Sequence, residues 1–279
     1  MQAVATDVTK SADGTTSVDL SPSQAFLSDP STTYPVVIDP SYRILFAAPL
    51  AETEGVLALL AALPEPDLHA GGPVTAPVLV APRIFEPAFC AMLIKAYEAH
   101  GGEPSGFMRE VDGVTVRVHD REHKVRSDHV LDDQGLLQAA RARLARRLAP
   151  QIQRAFQFKV TRIERDIVAC YDAKEGGFFR AHRDNTTPGT AHRRFAVTIN
   201  LNAEAYEGGD LVFPEFGSRP YRAPTGGAVV FSCSLLHAAL PVTKGRRYAY
   251  LPFLYDDEAA RIREANLEHV ADEFRQYRA

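Results

Sequence analysis

Residues 170–185 read Cys-Tyr-Asp-Ala-Lys-Glu-Gly-Gly-Phe-Phe-Arg-Ala-His-Arg-Asp-Asn, and the pair His182-x-Asp184 near the end of this stretch decides how the rest is read. On an extended segment side chains alternate between faces, so residues two apart share a face. His182 and Asp184 therefore present an imidazole and a carboxylate together, enough to hold a divalent ion by one edge. A metal centre needs a third ligand. His237 is the candidate, ending the apolar run Ala228-Val-Val-Phe-Ser-Cys-Ser-Leu-Leu-His. Two histidines and one carboxylate form the facial set that leaves positions open on Fe(II) for a bidentate cosubstrate and for oxygen. Arg246 and Arg247 follow in Lys244-Gly-Arg-Arg-Tyr-Ala-Tyr. A guanidinium fork suits a carboxylate bidentately, as the far end of a metal-chelated dicarboxylate requires; the plain alternative is a pair of solvated turn residues.

Working outward, residues from 160 onward alternate short apolar runs with Gly, Pro, Asn and Asp. Strands are expected at Thr161–Tyr171, Arg194–Leu201, Leu211–Pro214, Ala228–Ser232 and Tyr248–Tyr255, the pattern of a β-sandwich or barrel. Before them, Val78–Ala81 reads as a strand. Glu86–His100 reads as an amphipathic helix with Phe89, Met92, Leu93 and Tyr97 on one side, ended by Gly101-Gly102. Phe107–His119 suits a strand or hairpin. Asp132 or Asp133 caps a helix running to Leu148 with a stripe of Leu137, Ala140, Leu144 and Leu148, and Pro150 opens a second helix. The fold class is thus mainly β with flanking helices.

Further out, residues 1–33 carry few large apolar groups and read as a mobile segment. Residues 34–72 read as a small strand-strand-helix piece with its linker, 73–260 as the principal domain and 261–279 as a helical tail. At 279 residues, 46% hydrophobic and 24% charged, the chain is neither disordered nor fibrous. The balance of 31 basic against 35 acidic residues disfavours a nucleic-acid partner. No apolar run approaches the roughly 20 residues of a membrane span, and no secretory signal is visible. Cys90, Cys170 and Cys233 form no CxxC, which argues against a disulfide scaffold, a zinc ribbon or a dithiol redox centre and for a cytoplasmic protein. The other seven histidines, His129 and His192 among them, read as solvated or surface-bonded.

The run from Cys170 to Asn185 resembles the stretch leading into the first metal ligands of prolyl 4-hydroxylase-like Fe(II)/2-oxoglutarate oxygenases. Ile199-Asn-Leu-Asn, Glu207-Gly-Gly-Asp-Leu-Val-Phe-Pro, Pro224-Thr-Gly-Gly-Ala-Val-Val-Phe and Pro241-Val-Thr-Lys-Gly-Arg-Arg-Tyr-Ala are similar to that family's later motifs and stand in the same order over Phe156–Asp257. The resemblance implies a double-stranded β-helix (jelly roll) in which His182, Asp184 and His237 bind Fe(II). Arg247 is implied as the 2-oxoglutarate anchor, because it heads the last strand as Arg-Tyr-Ala, with Arg246 as the fallback. Asn200 stands where relatives carry a tyrosine that binds the 2-oxoglutarate carboxylate, so the cosubstrate pocket is differently shaped or leans on Tyr171, whose other reading is a sheet-packing aromatic. The implied reaction consumes 2-oxoglutarate and O2, with ascorbate as a candidate reductant, and hydroxylates an unactivated C–H bond. Separately, residues from Tyr34 through the following helix resemble the end of a redoxin domain. That domain's reactive-cysteine half is missing, so no peroxidase activity is expected.

By the same resemblance the substrate is an amino acid or peptide residue of proline-like size, small molecule or peptide being left open. Arg126 and Asp128 lie where relatives place a loop over the site and are substrate candidates there, the other reading being that they pair with each other. Arg180, Asn185 and Arg194 are substrate candidates by nearness to the metal motif, and the arginines at 180, 183, 193 and 194 together suit a carboxylate or phosphate. The arginines of Gln134–Gln157 read as a solvated helix face rather than a docking face. The rival from another class is a non-catalytic jelly roll that binds a ligand or partner. Oligomeric state is not legible.

Overall fold

The chain divides between Glu65 and Pro66, inside the Pro/Gly-rich stretch that reads as a linker. The structure, a computed structural model, describes residues 8–10, 16–18, 36–38, 44–47, 53–64, 68 and 72–272. In the first unit, Val8–Lys10 pairs antiparallel with Thr16–Val18, Val36–Ile38 pairs with Ile44–Ala47, and Thr53–Ala62 is helical. The remainder of the mobile-segment expectation for residues 1–33 lies outside the described residues.

The second unit begins with β1 (Leu79–Ala81) and α1 (Pro87–His100). A hairpin follows, β2 (Phe107–Val111) and β3 (Val114–Val118), then β4 (Lys124–Val125) and β5 (Ser127–Val130). Next come α2 (Gln134–Arg143) and α3 (Ala149–Phe156), then β6 (Arg162–Glu164), β7 (Ile167–Asp172), β8 (Phe178–His182) and β9 (Phe195–Asn200). The chain closes with β10 (Leu211–Val212), β11 (Ala228–Ser232), β12 (His237–Ala239), β13 (Arg246–Tyr250), β14 (Phe253–Tyr255) and α4 (Asp257–Ala265).

Two antiparallel sheets result. In the larger, β1 pairs β11, β11 pairs β9, β9 pairs both β13 and β14, and β7 pairs β13 on one side and β5 on the other. The smaller has the order β10-β12-β8-β4. This is the jelly roll.

Strand parity separates two cores. Ile167, Ala169 and Tyr171 of β7, Val229 and Phe231 of β11, and Ala249 of β13 face the smaller sheet. Their neighbours Val168, Cys170, Ala228, Val230, Tyr248 and Tyr250 face the helices. A strand buried on both faces reads as a continuous apolar run, which is why β11 is Ala-Val-Val-Phe-Ser.

The helices follow the same logic. Helix α1 has proline in its first turn and a left-handed Gly101 cap, and it buries Phe89, Cys90, Leu93 and Tyr97. Met92, expected on that face, is exposed because it lies one step round the helix from Leu93. The Asp133 side chain accepts from the Leu136 N–H at 2.8 Å and caps α2. No break occurs at Pro150: a π-helical turn at Leu144–Leu148 joins α2 to α3, and the proline fits the first turn of α3. Ala140, Leu144, Leu148 and Ile152 are buried along this run, each large side chain contributing about 1.5–3 kcal/mol. The arginines here are partly intramolecular: Arg143 and Arg147 both bind Glu86, and Arg141 binds Asp166.

The β2–β3 hairpin turns at Asp112-Gly113, both left-handed (φ 50° and 78°), the combination that a two-residue hairpin turn favours. Thr115 on β3 bridges to Val270, and its hydroxyl accepts from the Gly189 N–H at 3.0 Å. The helix expected in 261–279 starts earlier, at Asp257, because Asp256 caps it by accepting from Ala259 N–H at 2.8 Å. Residues 273–279 lie outside the described residues. Among the described residues no helix is long and apolar enough to cross a membrane.

Candidate active site

His182 and His237 are cross-strand partners in the β8–β12 pair. A bulge between Phe179 and His182 turns the end of β8, and Asp184 follows with its N–H bonded to the Cys233 carbonyl at 2.9 Å. One donor atom from each of His182, Asp184 and His237 falls within 4.8 Å of the others. The His182 Nε2 lies 3.6 Å from one Asp184 oxygen, and the His237 Nε2 lies 3.4 Å from the other.

The opposite ring nitrogens decide the tautomers. His182 Nδ1 is 2.8 Å from the Arg180 carbonyl and His237 Nδ1 is 3.0 Å from the Leu235 carbonyl. A carbonyl only accepts, so each Nδ1 carries the proton and each Nε2 lone pair is left bare toward Asp184. Electrostatics point the same way. Burial, only partly opposed by Asp184, holds His237 down at about 4 and therefore neutral. Burial disfavours the Asp184 carboxylate, but positive charge on the neighbouring His237 and His182 rings, when they are protonated, and on Arg193 holds it below the ordinary carboxylate range. Two imidazole nitrogens and one carboxylate fit Fe(II).

A cavity of about 950 Å³ opens beside the triad. At its inner end Arg247, 2% exposed, faces the smaller sheet, directly across from Tyr171 on β7. Its guanidinium carbon lies 4.9 Å from the Tyr171 ring centre. The Nε and Nη1 of Arg247 are buried without a hydrogen-bond partner. A buried donor left unpaired costs about 1–3 kcal/mol, more for a charged group, so this fork fits a carboxylate such as that of 2-oxoglutarate. Gly209, with φ 68°, lets the Arg247 stem pass: a Cβ there would stand 3.2 Å from Arg247 Cδ. Gly177 is needed for a different reason, since a Cβ would come within 2.8 Å of the Tyr171 Cα.

The other expected residues separate. Arg246 points to the helix side, where it binds Asp172 at 2.8 Å and Glu98 at 3.2 Å. Asn200 does not line the cavity; its Nδ2 donates to the Ala223 carbonyl at 2.7 Å. Tyr171 lines the cavity and accepts from Arg126 Nη1 at 3.3 Å, so it both packs and faces the site. Arg126 and Asp128 line it too, paired at 2.6 Å. Arg180 is exposed, Asn185 Nδ2 donates to Ser234 Oγ at 2.9 Å, and Arg194 Nη1 donates to the Ala191 carbonyl at 3.2 Å; none of the three lines the cavity. Nearness in sequence does not bring these three side chains to the cavity, where Phe179, His182, Arg183 and Asp184 line it instead.

Several cavity residues were not singled out from the sequence. Lys124 is buried with its Nζ 4.7 Å from the Phe179 ring centre, and desolvation pushes its ammonium well below the ordinary range. Its signal was parity, since Lys124, Arg126 and Asp128 are spaced by two. Phe179 in turn stacks on His182 with ring centres 3.5 Å apart. His192 is buried against Glu164 at 2.6 Å, and His129 is buried as well, contrary to the solvated reading of both. Arg193, one of the arginines expected to suit a carboxylate or phosphate, lines the cavity and pairs with the same Glu164 at 2.7 Å.

Residues 167–255, from β7 through β14, match the 2OG-Fe(II) oxygenase superfamily. The match covers the jelly-roll segment that carries the triad and Arg247. The chain is 37% identical over 89 residues to a PKHD-type hydroxylase of Cupriavidus metallidurans, covering 28% of this chain and 39% of that protein. It is 39% identical over 83 residues to a PKHD-type hydroxylase of Paracoccus denitrificans, covering 27% and 37%. The matches thus span less than half the length of these relatives. Among solved structures, a Trichoplax adhaerens prolyl hydroxylase in complex with a hypoxia inducible factor peptide fragment superposes with TM-score 0.49 and 15% identity over 77% of this chain and 96% of that one. A Pseudomonas putida prolyl-4-hydroxylase gives 0.47 and 18% over 71% and 100%.

Proposed function

We propose that this protein is an Fe(II)- and 2-oxoglutarate-dependent dioxygenase that hydroxylates an unactivated C–H bond of an amino acid or peptide residue of proline-like size, yielding succinate and carbon dioxide. One observation carries the reading: three metal-competent donors share one cavity with the buried Arg247 guanidinium, whose Nε and Nη1 have no hydrogen-bond partner among the described residues. His182, Asp184 and His237 would hold the metal, the first two anchored at the end of β8 and the third opposite them on β12. Arg247 would hold the distal carboxylate of 2-oxoglutarate against Tyr171. When bound, Fe(II) and 2-oxoglutarate supply the oxygen activation that C–H hydroxylation requires. The chain orients these groups and excludes water with Phe179, Phe231 and Ala239 around the triad. The hydroxylase names of its relatives agree with the assignment, and residues 73–260 form the oxygenase domain.

Anaerobic addition of Fe(II) and then 2-oxoglutarate tests the reading. A metal-to-ligand charge-transfer band in the visible spectrum is expected, and Arg247→Leu should weaken it. Metal bound without any such band would favour a non-catalytic binding protein instead.

A further inference from the structure

The cavity beside the triad holds more positive charge than its own carboxylates and the cosubstrate account for. Its buried cations are Lys124, Arg126, Arg193 and Arg247, with Arg165 half-buried beside them. Arg126 is paired with Asp128 and Arg193 with Glu164. Arg247 is assigned above to 2-oxoglutarate. Two cations remain.

Lys124 Nζ donates to Ser105 Oγ at 2.7 Å and to the Gly106 carbonyl at 2.5 Å, both neutral acceptors. It reaches Asp128 only through the Ser105 hydroxyl, which donates to the same Asp128 oxygen that Arg126 already occupies. Arg165 is more isolated. Its Nε donates to the Leu251 carbonyl at 3.3 Å, and its guanidinium carbon sits 4.4 Å from the Phe253 ring centre. Its backbone is left-handed at φ 69°, a conformation that a side-chain-bearing residue keeps only where its surroundings impose it. Among the described residues neither cation forms an ion pair with a carboxylate. Both lie toward the metal end of the cavity: Lys124 sits over Phe179, which stacks on His182, and Arg165 shares the Phe253 ring with Arg193, whose Nη1 donates to the Asp184 carbonyl at 3.4 Å.

A desolvated cation without a counterion is strongly unfavourable. Asp128 and Asp184 attract both cations, but Asp128 is already paired with Arg126, Asp184 belongs to the metal triad, and 2-oxoglutarate is taken by the metal and Arg247. We propose that Lys124 and Arg165 form a second anion subsite, distinct from Arg247, which receives a carboxylate carried by the substrate to be hydroxylated. The assignment rests on the oxygenase reading above. It narrows the substrate to a molecule with a free carboxylate near the reacting carbon, either the α-carboxylate of an amino acid or an acidic side chain of a peptide, and disfavours an uncharged mid-chain residue.

The test uses the full chain loaded anaerobically with Fe(II) and saturating 2-oxoglutarate, so that the metal and Arg247 are occupied. Its melting temperature is followed during titration with sodium acetate, sodium chloride and acetamide. Acetate is expected to raise it by about 2–4 °C beyond the other two. The increment should vanish in Lys124→Met and in Arg165→Met, while the charge-transfer band of the 2-oxoglutarate complex stays unchanged in both. Lys124→Gln replaces Lys124→Met if the latter fails to fold by circular dichroism. N-acetyl-L-proline against N-acetyl-L-aspartate α-methylamide then separates the two carboxylate sources. Equal responses to acetate and acetamide, or acetate responses in the variants equal to the wild type, would overturn the subsite while leaving the oxygenase reading intact. Absence of the band in the wild type would sink the oxygenase reading and the substrate role of the subsite with it.

Discussion

Arg246 and Arg247 are consecutive on β13, and their guanidinium groups lie on opposite faces of the sheet: Arg246 faces Glu98 of α1, and Arg247 faces Tyr171 inside the jelly roll. Arg247→Leu is therefore expected to raise the 2-oxoglutarate concentration for half-maximal succinate formation by at least about tenfold, the effect of losing roughly 1.4 kcal/mol of binding. Arg246→Leu should change it less than about twofold, because its ion pairs are half-exposed and weakly coupled to the cavity. A reversed order would mean that strand register runs differently through Gly245.

Removing any one metal ligand destroys the facial set. His182→Ala, Asp184→Ala and His237→Ala should each lower Fe(II) affinity by more than about 100-fold, measured by equilibrium dialysis, and abolish 2-oxoglutarate turnover. Circular dichroism should remain that of the wild type, since the two cores are built without the metal. Retained turnover in any of the three would contradict the site.

Phe179 holds the His182 ring in place by stacking and also carries Lys124 on its ring. Phe179→Ala should cost about 3–5 kcal/mol of stability as a buried aromatic truncation and weaken Fe(II) binding by about tenfold. Phe179→Leu should keep most of the stability but not the metal affinity. Parallel losses in the two variants would show that Phe179 only fills space.

The metal-free protein should lose stability as the pH falls from 7 toward 5. His123, His129, His192 and His237 are all held below the ordinary histidine value, chiefly by desolvation. The unfolded chain therefore takes up protons near pH 6.5 that the folded chain refuses, and stability rises with pH through this window. His237 alone, held near 4 instead of 6.5, corresponds to about 3 kcal/mol in full at 1.36 kcal/mol per unit, of which roughly 2 kcal/mol falls between pH 7 and 5. Urea unfolding at the two pH values measures the change; a flat or inverted dependence would contradict the burial of these rings.

How much of this was legible beforehand depended on whether a feature was local. His182-x-Asp184 and the motif series lie in short strands and turns whose residue types are dictated on the spot, as Gly177 and Gly209 show. Strand parity alone separates Arg247 from Arg246. Pairings made by distant chain segments were not legible: Arg193 is neutralised by Glu164 across a strand connection, and Asn200 is drawn off to the Ala223 carbonyl. Distance along the chain does not place Arg180, Asn185 and Arg194: the first is exposed, and the other two bond Ser234 and the Ala191 carbonyl. Lys124 shares its parity with Arg126 and Asp128, so it was within reach of the same rule that placed them.

The pairing of His182 directly with His237 makes iron uptake a check on folding. A strand slipped by one residue sends alternate side chains to the wrong face, so a β8–β12 pair misregistered by one offers at most one imidazole to the metal. Chelation would then discriminate among otherwise similar compact intermediates and pull the correctly threaded one out of the mixture. Iron added during refolding should accordingly raise the yield of native protein, and iron added to the finished fold should not.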